Sequence, residues 1–278
     1  MCIVGIIDFA DFVRRSGKLH DISMQQQMEL SSLPKAKESI EDQYQELLIR
    51  LEAYRRELES EAEINYQEMV DYYTLWAHQI KTPIAAMKLL NQSDQIDRRA
   101  MEAELFKTEQ YVEMVLSYLR AGNLSSDLVL QRYFLDEIAK KAIRKYSSLF
   151  ILKKIELEFH PSKVEVLTDE RWAVFVVEQI LSNALKYTKK GKIIVQIKGD
   201  SIIVQDTGIG ISREDLPRVM EKGFTGYNGR QDRKSTGIGL YLCKKIMKKL
   251  GHLIEIESEV GKGTTVILNF GREFEIAE

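Results

Sequence analysis

The sequence predicts an α+β chain in which a long helical region precedes a mixed layer of helices and strands. Three observations carry that prediction. Apolar residues step by three and four from Ile40 to Leu119, as packed helices require. From Lys154 onward, short runs alternate apolar and polar residues, as half-buried strands do. Glycine-rich segments then separate the later elements. A length of 278 residues suits about two domains, each with its own core. A hydrophobic content of 44% and a net charge of −2 fit a globular chain with no drive toward nucleic acid. Cys2 and Cys243 lie far apart without metal-ligand spacing, so a reduced, intracellular chain is expected.

The elements follow in order. "MCIVGIIDFADFVRRSGK" places six apolar or small residues after Met1 and then breaks at Asp8 and Asp11. That falls short of the roughly 20 residues a bilayer span needs. Arg14, Arg15 and Lys18 follow the apolar run, the wrong order for a signal peptide. Two readings remain for residues 1–22: a membrane-proximal stub with its basic cluster on the cytoplasmic side, or a buried or frayed N-terminal turn. Residues 23–65 read as a helical coiled-coil linker. Ile40, Tyr44, Leu47, Leu51, Tyr54 and Leu58 form its seam, and two successive steps of four, from 54 to 62, make a stutter. Asn65 would be a polar seam residue beside that phase change, a place where the helix can switch register.

Residues 66–121 read as a helical hairpin. The seam resumes at Met69, Tyr73, Trp76, Ile80, Pro83, Met87 and Leu90, and "NQSDQ" (91–95) makes the turn. The second helix carries Met101, Leu105, Thr108, Val112, Val115 and Leu119. Two amphipathic helices cannot bury both stripes alone, so a homodimeric four-helix bundle is expected. His78, at about 100° per residue, points some 200° away from Trp76 and so off the seam, toward solvent. Pro83 removes one helix hydrogen bond and is expected to bend the helix near His78.

"AGNLSSD" (121–127) is a linker by composition, and residues 128–274 form the second domain. Helices are expected over "FLDEIAKKAIRKYSSLF", about 169–187 and about 237–250. Strands are expected at "KIELEFH", "KVEVLTD", about 192–198, about 201–205, "LIEIES" and "TTVILNF". The sheet should be largely antiparallel with helices on one face.

Four motifs in this domain carry chemistry through their order. "EQILSNALKYTKKG" sets Asn183, Lys186 and Tyr187 within about one helical turn, where an amide oxygen and a cation can hold a magnesium ion and its phosphates. "VQDTGIG" places Asp206 at a strand end, able to accept from an adenine amino group, with Gly208 and Gly210 letting the backbone close over the base. "KSTGIGLYL" opens a helix at Gly237 and Gly239, whose free N–H groups suit triphosphate oxygens. "EVGKGTTV" brings Gly261, Gly263 and Thr264 between the last strands.

Together these motifs resemble the N box and glycine boxes of the GHKL (Bergerat) ATP-binding fold, shared by sensor histidine kinases, chaperone and mismatch-repair clamps, and type II topoisomerases. "EKGFTG" (221–226) stands where the kinases have their F box. The resemblance assigns Phe224, Thr236, Ile238 and Leu240 to ATP contact beside the residues above, and makes Ile211 to Thr236 a lid. In that lid Gly223, Gly226 and Gly229 suit a hinge, and Lys222, Arg230, Arg233 and Lys234 are mostly solvated charges with a reach toward phosphate. "HQIKTP" resembles the histidine box of sensor histidine kinases. The longer "YYTLWAHQIKTPIAAMKLL" is similar to the Bce-type kinases that pair with peptide-antibiotic ABC transporters.

That resemblance implies a dimeric, ATP- and magnesium-dependent histidine kinase. His78 would accept the γ-phosphoryl group and pass it to an aspartate of a response regulator. Thr82 would help orient a water for dephosphorylating that regulator. The chain would be the cytoplasmic part of a bacterial cell-membrane protein. Two departures stand out: Gln79 replaces the acidic residue that usually follows the histidine, and Gln179 stands where the N box usually has a further asparagine. An amide can orient a ring or a water but cannot act as a base. Two alternatives stay open. A clamp-type GHKL ATPase is disfavoured by the histidine-bearing hairpin upstream. A non-catalytic nucleotide-binding scaffold is disfavoured by the intact Asn183, Asp206 and glycine boxes.

Overall fold

The computed structural model describes residues 2–24, 33–36, 39–92, 97–122, 128–226 and 237–271. The chain divides into two compact units, Met1–Tyr73 and Thr74–Glu278.

In the first unit, helix α1 spans Cys2–Ser23 and α2 begins at Ser39. The first of these is a full helix, where the sequence suggested either a stub or a turn, and it leaves Ile6, Ile7, Phe9 and Phe12 exposed. No helix among the described residues is long and apolar enough to cross a membrane. Arg15 ties the two helices, donating to Glu41 at 2.6 Å and to the Lys35 carbonyl at 3.1 Å. Along α2 the surface is laced by i,i+3 and i,i+4 pairs such as Arg55–Glu52 at 2.8 Å and Arg50–Glu46 at 2.6 Å. The coiled-coil stripe Ile40, Tyr44, Leu47, Leu51, Tyr54 and Leu58 lies exposed in the single chain.

Helix α2 runs unbroken from Ser39 to Asn91, with Pro83 inside it. In the second unit its end faces α3, Arg98–Gly122. Then come β1 (Gln131–Phe134), α4 (Leu135–Lys153), β2 (Glu156–His160), β3 (Glu165–Thr168) and α5 (Glu170–Tyr187). After these follow β4 (Lys192–Lys198), β5 (Ser201–Asp206), a 3-10 turn at Leu216–Arg218, α6 (Gly239–Leu250), β6 (Leu253–Glu259) and β7 (Gly263–Asn269). Strand β1 pairs antiparallel with β3. The main sheet has the order β2-β4-β5-β7-β6, parallel between β2 and β4 and antiparallel elsewhere.

The alternation seen in the sequence sets the core. Ile193, Val195 and Ile197 of β4, Ile202 and Val204 of β5, and Val266 and Leu268 of β7 all point to one face. There they meet Ala139 and Tyr146 of α4, Val177, Leu181 and Leu185 of α5, and Leu242 and Ile246 of α6. Asp169 starts α5 as an N-cap, its Oδ1 accepting from the Arg171 and Trp172 N–H groups at 3.0 and 3.3 Å. Strand β1 is absent from the sequence reading, which began a helix at Phe134. Its four residues are mostly exposed and abut α4 with no turn residue between, so neither alternation nor punctuation marks it.

Candidate active site

Helix α5 and strand β5 deliver the residues that the first two motifs single out. One turn of α5 carries Asn183, Lys186 and Tyr187; the Lys186 ammonium lies 5.2 Å over the Tyr187 ring. Asp206 ends β5, 8% exposed, and its Oδ1 accepts from the Gly208 N–H at 2.8 Å. Burial pushes the Asp206 carboxyl above its ordinary range, against the opposing pull of N–H donors on Gly208 and Thr264. The register of β5 against β7 sets Asp206 opposite Thr264, so two sequence-distant motifs meet at one sheet end.

Gly210 and Gly237 are obligatory there. Gly210 has φ +70°, and a Cβ on it would come within 2.1 Å of the Glu259 carbonyl oxygen. Gly237 has φ +65°, and its carbonyl accepts from the Gly223 N–H at 3.1 Å; a Cβ would strike the Phe224 carbonyl oxygen at 2.6 Å. The glycine segment before α6 is thus stitched to the F-box segment. Beside it, the Arg218 guanidinium stacks 4.5 Å over the Phe224 ring. Helix α6 opens at Gly239 with no side-chain cap from Ile238, and its first turn faces the same space.

Sequence reasoning missed Ser258. Its hydroxyl accepts from the Ile211 N–H at 2.8 Å, bonds the Gly263 carbonyl at 2.8 Å and meets the Thr264 hydroxyl at 2.9 Å. It thereby anchors the start of the expected lid to the β6–β7 end. A serine in a strand gives no local signal of such a role. Residues 227–236 of that lid, including Gly229, Arg230, Arg233, Lys234 and Thr236, lie outside the described residues.

The hairpin packs on this layer through α3. Phe106 meets the Tyr146 ring edge-on at 5.3 Å, and the Tyr146 hydroxyl donates to Gln110 at 2.6 Å. Lys145 bridges Glu113 of α3 and Glu178 of α5, the latter at 2.6 Å. Burial raises the Glu178 carboxyl pKa while Lys145 opposes it.

A cavity of about 1120 Å³ runs from the layer to the hairpin, above the usual roughly 300–1,000 Å³ of ligand clefts because it continues onto α2. It brings together Asn183, Lys186, Tyr187, Asp206, Gly210, Phe224, Gly237, Gly239, Leu240 and Thr264 with Gln79 and Thr82. His78, Gly208 and Ile238 are not among its lining residues. His78 is exposed on α2, and Ile238 is buried. Thr82 is also exposed, its hydroxyl 3.4 Å from the His78 carbonyl. Gln79, by contrast, is 8% exposed and accepts a hydrogen bond from the Tyr111 hydroxyl at 3.1 Å.

A mixed sheet with helices on one face, an aspartate at a strand end and glycine turns leading into α6 define an ATP-binding domain of the GHKL class. Residues 168–273 match the family model described as "Histidine kinase-, DNA gyrase B-, and HSP90-like ATPase". Among curated proteins, the sensor protein BceS of Halalkalibacterium halodurans is 30% identical over 256 residues, 89% of this chain and 76% of the relative. The sensor histidine kinase YxdK of Bacillus subtilis is 32% identical over 231 residues, 80% of this chain and 70% of the relative. Among solved structures, histidine kinase ThkA in complex with the response regulator TrrA shares the fold at a TM-score of 0.52 and 18% identity, over 80% of this chain and 67% of that one. The chain belongs to the sensor histidine kinases of bacterial two-component systems, in their Bce-type branch. It is an ATP-dependent protein-histidine kinase.

Proposed function

We propose that His78 is the phosphoryl acceptor, that ATP lies between α5, β5 and the start of α6, and that the phosphoryl group then passes to an aspartate of a response regulator. One observation carries the reading. The cavity holding Asn183 and Asp206 extends to Gln79 and Thr82, and His78 stands exposed between those two positions and Trp76 on the same helix.

Asp206 accepts from the adenine amino group, and the N–H groups at the start of α6 face the phosphates. A neutral ring nitrogen of His78 forms a bond to the γ-phosphorus while the bond to the bridging β,γ-oxygen breaks and ADP leaves. The second ring nitrogen then releases its proton to solvent. The donor set also fits magnesium: Asn183 offers an amide oxygen, and one turn earlier Gln179 is 5% exposed with Oε1 3.2 Å from where a Cβ on Gly239 would lie. Bound there, the ion would neutralise charge on the transferring phosphoryl oxygens. Lys186 adds a cation on the same helix face, and Thr82 helps orient a water in dephosphorylating the regulator.

The partners follow from the surfaces and the family. The exposed stripe Leu105, Val112, Leu116 and Leu119 on α3 suits a second copy of the chain in a four-helix bundle. The regulator partner is supported by the fold shared with a kinase solved in complex with one. Membership of the Bce-type branch supports a signal arriving from a peptide-antibiotic ABC transporter in the membrane. Arg14, Arg15 and Lys18 suit the cytoplasmic side of that membrane.

Incubation with γ-labelled ATP and magnesium tests this, comparing the chain with His78→Gln. The expected result is acid-labile, base-stable label that the substitution abolishes. ATP hydrolysis without label on the protein would instead support a clamp-type ATPase.

A further inference from the structure

We infer that Tyr111 is a positioning residue for phosphoryl transfer at His78, acting through hydrogen bonds to the two turns of α2 that flank the histidine. This rests on His78 being the acceptor. Tyr111 meets α2 twice. Its backbone carbonyl accepts the Trp76 indole N–H at 2.9 Å, and its hydroxyl donates to the Gln79 amide oxygen at 3.1 Å. Those partners lie two residues before His78 and one residue after it. On a helix they sit about 60° apart, with the imidazole turned about 100° beyond Gln79. Two bonds from one residue therefore fix both the rotation of α2 about its axis and its height against α3. The direction of the His78 ring follows from those two quantities.

The local backbone makes that tie useful. Pro83 has no N–H to give the Gln79 carbonyl, so α2 lacks one ladder bond at the turn that follows the histidine. The two bonds to Tyr111 hold the helix beside the place where its own ladder is thinnest. The same geometry explains an amide at position 79. The site is buried, and the Tyr111 hydroxyl is kept protonated by burial and by the nearby Glu104 charge. A carboxylate at 79 would be desolvated in that negative field, whereas an amide oxygen accepts the phenol at no charge cost. Gln79 thus serves the histidine through the hairpin and not as its base.

The test compares Tyr111→Phe, Gln79→Leu, the double variant and Gln79→Glu in the whole chain. Autophosphorylation is measured at saturating ATP, alongside nucleotide affinity and thermal melting. Tyr111→Phe keeps the ring and its packing and removes only the hydroxyl. The expected result is a rate lowered by roughly ten- to a hundredfold at unchanged ATP affinity. The double variant should be no slower than Gln79→Leu alone, since both remove one bond. Gln79→Glu should be slower than the native chain. Loss of melting temperature with an unchanged saturated rate in Tyr111→Phe would reduce the bond to mere packing and overturn the inference. A faster Gln79→Glu whose rate rises with pH as a carboxyl ionises would also overturn it, by making position 79 a base. Label persisting in His78→Gln would sink the acceptor assignment itself, a separate failure.

Discussion

The ATP-binding layer and the long helix α2 treat apolar side chains in opposite ways. In the layer, Val195, Leu181 and Leu242 are wholly buried, and a single face of the sheet is closed by α4, α5 and α6. Along the first unit only Ile22 and Tyr72 are buried among the described apolar residues, and the seam from Ile40 to Leu58 stays in solvent. One region completes its core within one chain, so its site geometry is a consequence of its own fold. The other leaves its stripe in solvent within the single chain, and the second copy proposed above is what would cover it.

The comparison breaks most readily in the layer. Leu242 is fully buried on α6, the helix whose first turn lines the cavity. Leu242→Ala should destabilise the layer by about 2–5 kcal/mol, because the lost transfer energy adds to that of a cavity. Chemical denaturation followed by tryptophan emission would measure it, through Trp172 in the same core. A cost below about 1 kcal/mol would mean that the layer does not close its core alone.

A smaller effect on stability is expected at Asp206, to which adenine recognition is assigned above. Asp206→Asn removes the charge and one acceptor while keeping the shape. Loss of a hydrogen bond to a charged group is worth about 1.5–3 kcal/mol, so adenine nucleotide affinity should fall roughly ten- to a hundredfold with little change in melting. The native affinity should also depend on pH with a definite sign. Burial raises the Asp206 pKa, so the carboxylate is the form lost as pH falls through that raised value, sooner than for an ordinary aspartate. Calorimetric titrations of native chain and variant across mildly acidic pH separate the two: the native curve weakens toward acid and the variant stays flat.

The same contrast decides what was legible in the sequence. Asp206, Gly210 and Gly237 were readable because a strand-end carboxylate and left-handed turns are local demands, written in adjacent residues. Their convergence was readable only as motif order, and the β5–β7 register supplies the distance-free step that joins Asp206 to Thr264. On the hairpin, periodicity picked out Trp76, Ile80 and Pro83 and turned His78 outward, where it lies. It did not reveal that Gln79 faces inward, because its partner Tyr111 is 32 residues away and a polar side chain is invisible to an apolar stripe. Ser258 was hidden for the same reason, as its bonds reach back 47 residues to Ile211.

The smallest effect on folding should come from the outward stripe of α3, and it sharpens the comparison most. Leu116 is 44% exposed in the single chain, on the stripe assigned to a second copy. Leu116 lies outside the buried core of the single chain, so in Leu116→Glu the layer should keep its stability within about 0.5 kcal/mol and its nucleotide affinity unchanged. In a dimer the same side chain would place a carboxylate into an apolar seam and meet its symmetry mate, and the bundle should dissociate. Light scattering at several concentrations reads the second effect, and denaturation reads the first. A variant that remains dimeric with an intact layer would move the dimer seam to another face of the hairpin. A variant whose layer melts early would show that this stripe already belongs to the core of one chain, and the division between self-sufficient layer and partner-dependent helix would fall.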